Sequence, residues 1–234
     1  MAEGLSIFQT NDAKASAEVD KFLESIKSGS KGVGSARLIF ALDATASRRP
    51  TWDLASGLQA QMFQEVATIG GLSLQLVYYR GVGDCKASDW ISESGRLLRL
   101  MQQIDCRSGV TQIERVLTHV KNETSRQQVA ALVFVGDAIE ESSDVLIARA
   151  HELGRLKTPC FMFQEGCDPA VESIFRDIAR NTGGAYGRFD AGAAKQLGEL
   201  LKAASLFAVG GMAALENQKD RGSALLIEQL RGGA

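Results

Sequence analysis

The chain has 234 residues, 45% hydrophobic and 23% charged, with 26 basic and 28 acidic side chains and a formal net charge of -2. That length suits one α/β domain with a substantial core plus terminal extensions, and the balanced charge gives no electrostatic reason to expect nucleic acid or an anionic membrane as a partner. No apolar run approaches the ~20 residues of a membrane span, and the opening MAEGLSIFQTNDAK lacks the basic region and apolar core of a signal peptide, so a cytoplasmic protein is expected.

In chain order, residues 15–28 carry Val19, Phe22, Leu23 and Ile26 at helical spacing, and the glycine-rich SGSKGVGS that follows reads as a connector. A strand is expected over 36–42, a helix over 51–70, and a second strand in LSLQLVYY, before a loop RGVGDCKAS and a short strand or turn at 89–92. Helices over 94–105 and 111–124, a strand over 129–135, a helix over 142–156, a strand over 158–163, a helix over 169–181, a strand over 185–189 and a helix over 193–208 complete the series. Beyond residue 210 a polar break at 217–222 precedes Leu225, Leu226, Ile227 and Leu230, a short amphipathic stretch expected to pack back on the domain. The expected organisation is thus a helix and connector over 1–35, a domain over 36–210 and a tail over 211–234. Strands alternating with helices predict an α/β fold, doubly wound, with a mostly parallel sheet and helices on both faces.

Within this series the segment RLIFALDATAS stands out, an apolar strand running into Asp43 with hydroxyls following at Thr45 and Ser47. One carboxylate and two alternating hydroxyls at a strand end form the oxygen-rich set that a hard divalent cation requires. Two further segments each add an oxygen at the end of an element: CRSGVTQIERVL, with Thr111 opening a helical pattern, and AALVFVGDAIEESSD, a second apolar strand ending at Asp137. In an open parallel sheet, ligands bind at the carboxyl ends of the strands, which is where Asp43 and Asp137 fall.

This ordered set resembles the von Willebrand factor A (VWA) domain with its metal-ion-dependent adhesion site, whose pattern of Asp-x-Ser-x-Ser, a later Thr and a later Asp is matched at Asp43, Thr45, Ser47, Thr111 and Asp137. Thr45 departs from the usual Ser, keeping the hydroxyl and adding a methyl. The resemblance runs from residue 37 to about residue 190 and is to stand-alone, bacterial-type members, which act as interaction or assembly modules. It implies a Rossmann-like fold, a Mg2+ or Mn2+ ion on those five residues, and a protein partner that presents a carboxylate to the metal.

Other readings of the same residues stay open. Ser47 and Asp43 suit helix and turn caps, Thr111 with Glu114 suits a capping box, and Glu140, Glu141 and Asp144 suit the start of a helix. Arg48 and Arg49 read as solvated, and Tyr78, Tyr79, Arg80 and Asp84 as loop packing at the rim of the site. A strand-terminal Asp with a later Gly-Asp also resembles haloacid-dehalogenase-type phosphatases, but Thr45 stands where their acid/base belongs and only Lys121 or Lys157 is on offer as their lysine. A structural VWA domain whose site has decayed through Thr45 is the third reading. Cys85, Cys106, Cys160 and Cys167 lack zinc or redox spacing and read as reduced thiols, and His119 and His151 form no zinc pattern.

Overall fold

Strand β1, Ala36–Asp43, is ARLIFALD, and every residue after Ala36 is buried. An uninterrupted apolar strand of this kind belongs in the middle of a parallel sheet, covered on both faces. The structure, a computed structural model, describes residues 35–48, 72–190 and 194–232, so the helices expected over 15–28 and 51–70 lie outside the described residues. After β1 come a 3-10 turn at Ala46–Arg48, β2 (Leu72–Arg80), β3 (Asp84–Ala87), α1 (Ser94–Gln102), α2 (Ile113–Arg126), β4 (Ala131–Gly136), α3 (Ser143–Arg155), β5 (Cys160–Glu165), α4 (Pro169–Thr182), β6 (Tyr186–Phe189), α5 (Ala194–Glu216) and α6 (Arg221–Gly232).

The six strands form one sheet in the order β3-β2-β1-β4-β5-β6, parallel throughout except for β3. Strand order reverses between β1 and β4, so the switch-point crevice opens beyond Asp43 and Gly136. Alternation along the strands divides the core between two faces. Ile39, Ala41, Val77, Tyr79, Phe134 and Met162 pack with Ile113, Val116, Leu146, Phe175 and Ile178 from α2, α3 and α4. On the other face α5 lies against β1, β4 and β6, and Phe207 meets Phe161 edge-on at 5.3 Å. The doubly wound α/β architecture expected from the sequence is present.

Local signals set several boundaries. Helix α4 begins where Asp168 accepts the Ala170 N–H at 2.8 Å and the Val171 N–H at 3.4 Å, with Pro169 in the first turn, and it ends at Gly183 with φ 71°.

Three expectations are corrected. The loop read at 80–88 contains β3, joined to β2 by a turn in which Gly81 and Gly83 adopt φ 59° and 80°. Its sequence, DCKA, is polar because this strand is an edge and largely exposed. Helix α2 starts at Ile113, leaving Thr111 before it. Helix α5 runs eight residues past the expected 208, through a break at Gly211 where φ is 61° and ψ is -153°. By length and composition alone α5 could cross a membrane. It lies instead against the sheet and α6, with Leu197, Leu200, Leu201 and Ala204 buried. Leu226 of α6 is fully buried, so the amphipathic stretch does pack back, against α5 and β6.

Candidate metal centre

Asp43 ends β1 in a fully buried position. Just past it the chain turns: the Thr45 N–H donates to Asp43 Oδ1 at 2.7 Å, and the Arg48 N–H donates to the Thr45 carbonyl at 3.2 Å, closing the 3-10 turn. This turn brings Thr45 Oγ1 and Ser47 Oγ to 3.1 Å from each other, Thr45 buried and Ser47 exposed. The second oxygen of Asp43 accepts from the Tyr79 hydroxyl at 3.0 Å. Tyr79 lies directly opposite Asp43 in the β1–β2 register and is buried, so strand pairing itself delivers this contact.

The electrostatics are those of crowded, buried carboxylates. Burial pushes the Asp43 carboxyl above its ordinary value, the Thr45 hydrogen bonds oppose this, and repulsion from Asp137 adds to it while Arg48 reduces it. Tyr79 is driven well above the usual phenol range by burial first and then by Asp43, with further repulsion from Glu141 and Asp137. It therefore stays a hydrogen-bond donor at any physiological pH.

Gly136 ends β4 beside Asp43. A Cβ there would meet the Phe134 ring at 2.8 Å and Asp43 Cβ at 3.5 Å, so glycine lets the two strand ends close up. The next residue, Asp137, places Oδ1 in a buried position with no hydrogen-bond partner among the described residues. A buried carboxylate oxygen without a partner is costly, and a bound water or cation would offset that cost.

Thr111 reaches this end of the sheet on the loop before α2. That loop is tied to β1 by the Arg107 N–H donating to the Ala44 carbonyl at 3.0 Å, and to the β2–β3 turn by the Val110 N–H donating to the Gly81 carbonyl at 3.2 Å. Gly109 approaches so closely that a Cβ would lie 2.1 Å from the Gly81 oxygen. Thr111 is buried, and its hydrogen bonds run to the β4–α3 loop: Oγ1 donates to the Glu141 carboxylate and accepts the Glu140 N–H at 2.8 Å, while the Thr111 N–H donates to the Glu140 carboxylate at 2.8 Å.

Asp43, Thr45 and Ser47 thus share one turn with Asp137 at the adjoining strand end, and Thr111 is bonded to the loop that Asp137 opens. Among the described residues no three Asp, Glu, His or Cys side chains gather as a metal-binding group, so a cation here would have to draw on hydroxyl oxygens as well as carboxylates.

The capping readings change. Thr111 does not cap α2; Gln112 holds the N-cap position without a side-chain bond, and Glu141 accepts the Glu114 N–H at 3.2 Å from across the loop. Glu141 therefore serves the start of α2, and the N-cap of α3, Ser142, makes no side-chain cap bond. Arg48 is not solvated. It is 1% exposed and pairs with Glu165 at the end of β5 at 3.0 Å, behind the turn that carries Thr45 and Ser47. The strand register could have found Tyr79; nothing local in the sequence marks Glu141 or the Arg48–Glu165 pair.

Elsewhere, His119 Nε2 bonds the Gln75 side-chain oxygen at 2.8 Å, and Lys121 pairs with Glu152 at 3.0 Å, so this lysine is engaged on α2 and α3. All four cysteines are free.

No protein-family model matches the sequence, and no curated protein matches it. Among solved structures, the SpRpn10 VWA domain superposes with a TM-score of 0.58 over 75% of this chain and 96% of that one, at 12% identity. The fold is that of the VWA domain. The ArnB paralog VWA2 from Sulfolobus acidocaldarius, at 14% identity and a TM-score of 0.52, is matched over 73% of this chain and 45% of its own. The vWF domain of the type V pili tip protein Mfa5 from Porphyromonas gingivalis gives 10% identity and 0.52 over 74% of this chain and 97% of its own. At such identities the likeness concerns the VWA fold alone.

Proposed function

We propose that the chain is a protein-interaction module rather than a catalyst, and that it takes a carboxylate of a partner protein through a divalent cation, Mg2+ or Mn2+, held by Asp43, Thr45, Ser47, Thr111 and Asp137. The observation that carries this reading is the buried Asp137 Oδ1, without a hydrogen-bond partner among the described residues, beside buried Asp43, at the switch point and next to paired hydroxyls. Two carboxylates balance a divalent charge, and three hydroxyls complete a hard oxygen set that leaves room for an exchangeable ligand. The ion would supply the attraction for the partner's carboxylate; the chain supplies its orientation. The methyl of Thr45 is accommodated in a buried position with Thr45 Oγ1 3.1 Å from Ser47 Oγ, so the departure from Ser keeps an oxygen in this turn.

The rim adds apolar contact. Val82 and Val110, 86% and 44% exposed, line a groove of about 290 Å³ together with Thr111 and Glu141. Exposed aliphatic side chains beside a charged anchor suit a protein partner. The free cysteines fit a reducing compartment, and we place the module in the cytoplasm.

Titration calorimetry of the chelator-treated protein with Mg2+ and Mn2+, beside Asp43→Ala, tests the reading. Saturable binding in the parent that is lost in a folded variant supports it. Absence of heat with either ion in the parent overturns it.

A further inference from the structure

The β4–α3 loop grips Thr111 more closely than a loop threonine needs. A threonine hydroxyl has one proton and two lone pairs. Here the proton goes to the Glu141 carboxylate and one lone pair accepts the Glu140 N–H. With the proton and one lone pair fixed, the direction of the remaining lone pair is fixed too. Glu141 is itself held, because its other oxygen accepts the Glu114 N–H at 3.2 Å in the first turn of α2, where the helix dipole favours a carboxylate.

We propose that Glu141 is a positioning residue for the Thr111 oxygen: by accepting the hydroxyl proton it aims the remaining lone pair at the cation and strengthens that oxygen as a donor. This inference rests on the metal reading above and assigns Glu141 a role outside the ligand set. Outer partners that orient a metal ligand typically matter by about 10–100-fold in metal affinity. A charge-assisted bond from a carboxylate is the strong form of such support. The loop that carries Thr111 is tied to the residue just past Asp43 by the Arg107 N–H donating to the Ala44 carbonyl, so Glu141, bonded to Thr111, works at the same end of the sheet. The reciprocal bond between the Thr111 N–H and the Glu140 carboxylate then holds the backbone that carries the ligand.

Mn2+ alone is the probe, with affinity measured for the parent and for Glu141→Ala, Glu141→Asp and Asp144→Asn. Glu141→Asp keeps the charge and loses reach. Asp144→Asn removes a nearby exposed charge and leaves the Thr111 bond intact. The expected result is affinity about 10–100-fold weaker in both Glu141 variants and unchanged in Asp144→Asn, with unfolding midpoints without metal showing each variant folded. Parent-like or tighter binding by Glu141→Ala overturns the inference, as does parent-like binding by Glu141→Asp or an Asp144→Asn loss equal to that of Glu141→Ala, since either would mean that bulk charge suffices. Those outcomes leave the metal site standing, whereas a parent that binds no Mn2+ overturns both.

Discussion

Tyr79 concentrates the residue-scale physics of the site. Its ring stacks on Phe134 at 6.3 Å between centroids, and Phe134 meets Phe175 edge-on at 5.5 Å, so the hydroxyl is anchored by a buried aromatic row. Removing that hydroxyl takes a donor from a fully buried carboxylate. Tyr79→Phe is therefore expected to destabilise the metal-free protein by about 1–3 kcal/mol, read as a lower urea midpoint at constant slope. A saturating divalent ion is expected to recover part of the loss, because it offsets the same carboxylate charge.

At the scale of elements, α6 is set down on α5 with little clearance. A Cβ at Gly222 would come within 2.5 Å of the Glu199 carbonyl oxygen, and Ser223 beside it is fully buried. Gly222→Ala is expected to lift the start of α6 and cost about 1–3 kcal/mol, checked by faster proteolysis within residues 217–232. How far elements could be read from the sequence follows from the same local physics. β1 was legible because burial on both faces leaves an unbroken apolar run, and the Asp43, Thr45 and Ser47 triplet because one turn holds all three. β3 was not, since an exposed edge strand carries no apolar signal. The extension of α5 was hidden by Gly210 and Gly211, which read as a stop although helix resumes beyond them. Glu141 was illegible because its meaning depends on Thr111, 30 residues away. Arg48 was misread because its partner, Glu165, lies 117 residues downstream, at the end of β5.

For the whole molecule, acid is the expected weakness. Burial pushes the Glu123 carboxyl up, but hydrogen bonds from Trp90 at 2.9 Å and Arg37 at 2.6 Å together outweigh it and hold it below its usual value. Asp84, Asp105 and Glu152 are also held low, by bonds from Arg80, Arg107 and Lys121 respectively. A depressed folded value means that the unfolded chain binds more protons. The stability these groups provide is complete above their ordinary values and is lost as pH falls through the folded ones, while Asp43, pushed upward, acts in the opposite sense. Melting temperature is expected to fall below about pH 4, and Glu123→Gln to flatten that fall while lowering the plateau at neutral pH. Equal acid slopes in the two proteins would remove Glu123 from the account.

Strand β6 closes the sheet on the side away from β3, and three of its outward backbone groups are bonded to glutamine amides. The Tyr186 N–H donates to the Gln229 oxygen at 2.7 Å, Gln229 Nε2 donates to the Tyr186 carbonyl at 2.6 Å, and Gln196 Nε2 donates to the Arg188 carbonyl at 2.8 Å. Side chains here imitate a seventh strand and deny that place to a neighbouring molecule. Gln229 lies 43 residues downstream of the strand it protects. During translation at about 5–20 residues per second, β6 is made roughly 2–9 s before its guard. Until that glutamine is made and α6 docks, the Tyr186 N–H and carbonyl lack their cover, so this side of the sheet is finished only by the last helix of the chain.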